Sequence, residues 1–81
     1  MNASITLDRA PLGTPLVIWS THPDAVVARR LSRFGVRRGA RLTVVQKLVA
    51  GGRVVSVGGG RLALDAGVLA GVAVAPEASA A

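Results

Sequence analysis

Side chains that could hold a metal ion are few in this sequence of 81 residues. The candidates are His22, Asp8, Asp24, Asp65 and Glu77. Only the first and third of these are close in sequence, no group has the spacing of a metal site, and the chain has no cysteine to supply a thiolate. His22 precedes a proline at a predicted helix start, which favours a solvated loop residue. We therefore predict neither a metal site nor a cofactor site.

The same scarcity argues against catalysis. A nucleophilic serine or threonine needs an adjacent base and an orienting group, and the sequence has a single histidine. The run Gly58, Gly59, Gly60 and Arg61 could suggest a phosphate-binding loop. Such a loop ends in Gly-Lys-Ser/Thr and precedes a helix, whereas a strand is predicted to follow here. We expect that the protein is not an enzyme and that it works by binding.

Arginine is the residue type that stands out. The formal net charge is +6, and six of the ten basic residues lie within thirteen positions, which predicts one strongly positive face. They are Arg29, Arg30, Arg33, Arg37, Arg38 and Arg41. This face has three interpretations: a solvated helix surface, a nucleic-acid footprint, or a docking surface for an acidic partner or anionic lipid headgroups.

A shortage of aromatic residues separates these interpretations, because Phe, Trp and Tyr together contribute only Trp19 and Phe34. Barrel proteins that bind single-stranded nucleic acid stack its bases on aromatic side chains, and domains that recognise proline-rich peptides use an aromatic groove. Both functions are disfavoured. Docking near an anionic membrane gains about 1 kcal/mol per arginine and is weakly favoured. Trp19 is a further candidate contact if it faces outward, since Trp and Arg are common interface hot spots; burial is an equally good alternative.

Composition predicts one folded domain. Hydrophobic residues make up 51% of the chain and the mean hydropathy is +0.51, too apolar for a disordered segment, and the length suits a single core. The apolar, uncharged stretch at residues 66–76 is shorter than the roughly 20 residues of a membrane helix. Residues 1–7 lack the features of a secretory signal. A cytoplasmic location is therefore expected.

Short elements must position the arginines. Alternating apolar patterns and glycine-rich turns predict strands over residues 4–7, 16–20, 41–48, 53–57, 61–64 and 72–74, with a single helical turn over 65–69. A capping box from Thr21 to Asp24 predicts a helix over 23–34. Its apolar stripe is Val27, Leu31 and Phe34, and Gly35 would end it in the left-handed conformation. The expected fold is mainly β, a small SH3-like or OB-like barrel of about five strands with one α-helix after an early strand.

Two segments carry a family resemblance. Residues 29–44, Arg-Arg-Leu-Ser-Arg-Phe-Gly-Val-Arg-Arg-Gly-Ala-Arg-Leu-Thr-Val, resemble the helix, glycine, glycine and strand signature of FeoA domains. Residues 60–65 look like the family's glycine-led Leu-Ala-Leu strand, and residues 72–74 like its last strand. The resemblance covers about residues 7–74. It implies an SH3-like domain, which we place at residues 1–75, followed by a disordered tail at 76–81.

The resemblance also implies a function: a non-catalytic accessory protein of bacterial ferrous iron uptake that binds the membrane GTPase FeoB on its cytoplasmic side, peripheral to the inner face of the membrane. The expected partner-binding residues are Trp19, Arg29, Arg30, Arg33, Arg37 and Arg38. Two alternatives stay open, a domain like the C-terminal barrel of DtxR-like metalloregulators and a basic nucleic-acid-binding barrel. Self-association into a homo-oligomer is also open.

Overall fold

A six-stranded antiparallel sheet forms most of the computed structural model, which describes residues 4–77. The strands are β1 (Ile5–Thr6), β2 (Leu16–Ser20), β3 (Arg41–Lys47), β4 (Arg53–Val57), β5 (Gly60–Leu64) and β6 (Ala73–Pro76), arranged in the order β1-β6-β2-β3-β4-β5. Two helices, α1 (Ala25–Ser32) and α2 (Ala66–Ala70), follow β2 and β5. The mainly β fold with a helix after an early strand is confirmed. A barrel of about five strands was expected, and each of the six segments predicted as strands forms one. The predicted helical turn is the second helix.

One face of the sheet encloses a single core. In β2, for example, Leu16 and Ile18 are buried while Val17 is half-buried and Trp19 is exposed, as period-two alternation requires. Core side chains come from five strands and both helices, so the sheet wraps around them. The fully buried large side chains are Leu7, Leu16, Ile18, Val36, Val44, Val55, Leu69, Val72 and Val74. Stability thus comes from aliphatic packing.

The first predicted strand is shorter than expected. β1 has two residues, after which residues 7–9 form a 3₁₀ turn. The side chain of Leu7 is fully buried and its N–H donates to the carbonyl of Val72 (2.8 Å). The partly buried Arg53 guanidinium donates to the carbonyls of Leu7 and Ala10. This turn is therefore fixed to the sheet by β4.

Helix α1 begins two residues later than predicted, at Ala25, because Asp24 is its N-cap. The Asp24 carboxylate accepts from the N–H groups of Val26 (2.8 Å) and Val27 (3.3 Å). Thr21 does not cap; its hydroxyl faces the carbonyl of His22 at 3.5 Å. The predicted capping box is therefore wrong.

The predicted stop of α1 at Gly35 is confirmed. Gly35 has φ of +91° and its N–H donates to the carbonyl of Ser32 (3.1 Å), while the N–H of Val36 donates to that of Leu31 (3.1 Å). These two bonds form the Schellman motif, and Val36 and Leu31 are both part of the core. Phe34 was predicted to complete the core stripe, but it is 57% exposed. That part of the stripe prediction is wrong.

The hairpins match the sequence pattern. β3 and β4 pair through a loop at residues 48–52, closed by a bond from the N–H of Leu48 to the carbonyl of Gly52 (2.7 Å). β4 and β5 pair through Gly58 and Gly59, both with positive φ, the geometry of a two-residue hairpin turn. At the other end, β6 includes Pro76, and the Glu77 N–H donates to the carbonyl of Pro15 (3.0 Å). These two residues were assigned to the tail; residues 78–81 lie outside the described residues.

Candidate partner-binding surface

All five predicted contact arginines lie on α1 and on the loop that follows it. Arg29 and Arg30 are on the last turns of the helix, Arg33 is its C-cap, and Arg37 and Arg38 precede β3. All five are exposed. Within residues 4–77 none of them forms an ion pair, whereas Arg41 at the start of β3 pairs with Glu77 (Nε to Oε1, 2.9 Å). The structure thus presents five cationic side chains whose charge no described carboxylate neutralises.

The loop after α1 is held against both the helix and the sheet. The Arg37 guanidinium donates from Nη2 to the carbonyl of Ser32 (3.3 Å), where a cation suits the negative end of the helix. The N–H of Gly39 donates to the carbonyl of Ile18 (2.8 Å). Because of this bond, the turn that carries Arg38 lies beside the end of β2 that carries Trp19.

Trp19 faces outward. Its side chain is 45% exposed, and it is the extra residue of a β-bulge between Ile18 and Ser20, which pair with Val74 and Ala73 of β6. Bulges commonly redirect a side chain beside a functional site. Of the two alternatives for Trp19, exposure is therefore the correct one, although its role in binding stays a prediction.

A groove next to these residues was missed by sequence reasoning. It lies between the end of α1 and the β4–β5 hairpin and has a volume of about 350 Å³. Arg33 and Arg61 both line it, together with the exposed Phe34. Its full lining is Arg33, Phe34, Gly35, Val57, Gly58, Gly60, Arg61 and Leu62. No local signal joins Arg61 to Arg33, because only the fold of the hairpin brings their segments together.

Most of the candidate metal ligands have structural roles. Asp24 caps α1, and Asp65 caps α2 by accepting from the N–H of Val68 (2.9 Å). Glu77 pairs with Arg41. His22 is half-buried rather than solvated, and its Nδ1 accepts from the N–H of Asp24 (3.0 Å). Across residues 4–77, no three His, Cys, Asp or Glu side chains are grouped so that they could hold a metal ion.

The match to a family model decides which protein family the chain belongs to. A model described as the FeoA domain covers residues 5–76. This chain belongs to the FeoA family. Its fold supports the match, since the zinc complex of Stenotrophomonas maltophilia FeoA, an SH3 domain protein, is 35% identical with a TM-score of 0.73, and 93% of each chain is covered. No curated protein matches the sequence.

Two other solved structures share this fold. FeoA of Chlorobium tepidum is 26% identical with a TM-score of 0.82, over 90% of this chain and 70% of that one. A manganese-dependent transcriptional repressor has a TM-score of 0.83 at 17% identity, over 94% of this chain but only 43% of the repressor. The second likeness shows the fold alone. It supports the metalloregulator alternative only as a related fold.

No helix among residues 4–77 has the length and apolar character needed to cross a bilayer.

Proposed function

We propose that this FeoA-family chain is a non-catalytic accessory protein of bacterial ferrous iron uptake that binds the cytoplasmic part of a FeoB-type membrane GTPase. The observation that carries the proposal is the exposed arginine surface of α1 and its following loop, which has no carboxylate partner in the described part of the chain. The relative from Stenotrophomonas maltophilia is described as a candidate activating factor of bacterial ferrous iron transport. The proposed role agrees with that description.

The arginine surface suits docking rather than chemistry. Exposed ion pairs contribute only about 0.2–1 kcal/mol each, so several must act together. Their main effect is to speed association with a negatively charged partner and to make binding sensitive to salt. Trp19, exposed beside the same loop, supplies the kind of aromatic contact on which interface affinity often depends.

The proposed location is the cytoplasm, at the inner face of the plasma membrane. The partner is embedded in that membrane, so the arginine surface would lie near anionic lipid headgroups. Each arginine near such a surface contributes about 1 kcal/mol. Lipid contact would therefore strengthen the docking without replacing the protein partner.

The test is recovery of FeoB from detergent-solubilised bacterial membranes by the tagged protein at moderate and at high salt. The variant Arg29→Glu/Arg38→Glu is compared with Arg9→Glu/Lys47→Glu, which reverses the same number of exposed charges outside the predicted surface. We expect recovery that falls with salt and falls further in the first variant. Failure of the wild-type chain to recover FeoB would overturn the proposal. Equal recovery by both variants would exclude the arginine surface as the contact.

A further inference from the structure

Two arginines from distant parts of the sequence share one groove. Arg33 caps the end of α1 and Arg61 lies on β5, and both side chains are exposed and line the 350 Å³ groove. Neither forms an ion pair with any carboxylate among residues 4–77. Two guanidinium groups that face one concave surface raise its positive potential and attract a negatively charged ligand. Arginine forks match carboxylate geometry, so carboxylates are suitable occupants.

An exposed aromatic side chain lies between this groove and an apolar one. Phe34 and Leu62 line both the arginine groove and a second groove of about 190 Å³. The second groove is otherwise lined by Val27, Arg30, Leu31, Leu64 and Val68. The combined surface therefore offers cationic positions beside a continuous apolar strip. A ligand that covers Phe34 would remove apolar area from water as well as neutralise charge.

The strand that borders both grooves is an edge of the sheet. β5 pairs with β4 and is last in the strand order. In the described part of the chain, the backbone of Gly60–Leu64 makes no hydrogen bond to any segment except β4. An edge strand with free N–H and C=O groups is a template for an added strand, and peptide ligands use such edges. The expected ligand is therefore extended.

We propose that the surface formed by Arg33, Phe34, Arg61 and Leu62 binds an extended acidic segment of a protein partner along β5. Carboxylates of the segment bind Arg33 and Arg61, and an intervening apolar side chain packs on Phe34 and Leu62. The inference rests on the proposed function for the identity of the partner, since the segment would belong to the cytoplasmic part of FeoB. A second copy of this chain is a poor occupant, because the sequence has only four acidic residues and no two of them are adjacent.

The first test uses a defined probe: a fluorescent ten-residue peptide of alternating glutamate and leucine, with the matching lysine and leucine peptide as control. Binding is measured by fluorescence anisotropy to the wild-type chain, to Arg33→Glu/Arg61→Glu and to Arg9→Glu/Lys47→Glu. We expect at least a tenfold weaker Kd in the groove variant, about 1.4 kcal/mol, and a change of threefold or less in the matched variant. Circular dichroism verifies that each variant is folded. Equal weakening in both variants would overturn the assignment.

The apolar contribution is tested separately with Phe34→Ala. Val49→Ala is the matched control, because Val49 is 97% exposed at the β3–β4 loop and lies outside both grooves. We expect the Kd for the peptide to weaken threefold or more in Phe34→Ala and to be unchanged in Val49→Ala. Amide hydrogen exchange should slow across Gly60–Leu64 when the peptide binds. Unchanged exchange there would overturn the strand addition, and an oligonucleotide that displaces the peptide at lower concentration would overturn the acidic-peptide assignment.

The same groove variant separates this inference from the proposed function. If the wild-type chain recovers FeoB and Arg33→Glu/Arg61→Glu recovers it as well as the matched variant does, the groove is not the contact and the proposed function stands. If the wild-type chain recovers no FeoB but binds the acidic peptide through the groove, the proposed function fails. The acidic-segment site would then stand with a different partner protein.

Discussion

The imidazole of His22 packs against Gly71 so closely that no side chain fits between them. A Cβ built on Gly71 would overlap Cδ2 of the ring and would lie 2.7 Å from Nε2 and 3.0 Å from Cγ. Gly71 has φ of −93° and ψ of −8°, a negative φ that residues other than glycine also adopt. Glycine is therefore required here for space, not for backbone conformation, and Gly71→Ala isolates the effect of that contact.

The cost of Gly71→Ala follows from what the ring must do. It has to move away, which breaks the bond from the Asp24 N–H to His22 Nδ1 (3.0 Å) at the start of α1. Overpacking of this kind costs about 1–3 kcal/mol in total, of which the lost hydrogen bond accounts for about 1 kcal/mol. Alanine also restricts the unfolded chain, which stabilises the fold by about 0.4–1 kcal/mol. The expected net loss is about 1–2 kcal/mol, a fall in Tm of roughly 5–15 °C for a domain of this size.

The assay is urea and thermal unfolding of a double-mutant cycle. In the His22→Ala background the ring is absent, so Gly71→Ala should be neutral or stabilising by up to about 1 kcal/mol. The coupling free energy should then be about 1–3 kcal/mol, within the range for residues in direct contact. An equal loss from Gly71→Ala in both backgrounds would refute the argument, because the penalty would then not come from the ring.

Two further predictions concern the ends of α1. Asp24→Ala should lower the free energy of unfolding by about 0.5–2 kcal/mol, because the N–H groups of Val26 and Val27 lose their acceptor. Thr21→Ala should be nearly neutral. A larger loss for Thr21→Ala than for Asp24→Ala in urea unfolding would show that Thr21 is the cap. Gly35→Ala should lower the free energy of unfolding by about 1 kcal/mol or more, because its φ of +91° disfavours any residue with a Cβ. A clash adds nothing to this loss, since the added Cβ comes no closer than 3.7 Å to Val57. Gly67→Ala inside α2 is the matched control and should stabilise by about 0.5–1 kcal/mol; a loss in both glycine variants would contradict the conformational explanation.

Much of the architecture could be predicted from local patterns. The order Leu31, Gly35, Val36 encodes a helix stop through local hydrogen bonds, so the sequence locates it well. Alternation in β2 places Leu16 and Ile18 inward because the side-chain period of a strand is two. Helix periodicity failed at Phe34 for a physical reason. Phe34 lies in the turn beyond the last helical residue, Ser32, where the helix no longer sets the direction of the side chain.

The candidate surface was predictable only in part. The arginines from Arg29 to Arg38 follow one another along a helix and a loop, so their common exposure follows from the sequence. Arg61 joins Arg33 because the register of the β4–β5 hairpin brings that strand to the end of α1, and register depends on the whole sheet. Arg53 shows the opposite case. It is as basic as the others in sequence, yet the structure directs it to the carbonyls of Leu7 and Ala10.

The excess positive charge of this apolar domain is concentrated on one part of its surface. Arg41 is paired with Glu77, and Arg53 donates to backbone carbonyls. Six of the eight other basic side chains belong to α1, its following loop and β5. Exposed ion pairs are individually weak, so such a surface gives rapid, salt-sensitive attraction rather than high affinity. The exposed aromatic residues, Trp19 and Phe34, must then add to the affinity. We therefore expect association to depend on the arginines chiefly in its rate of formation, and on Phe34 chiefly in its rate of dissociation.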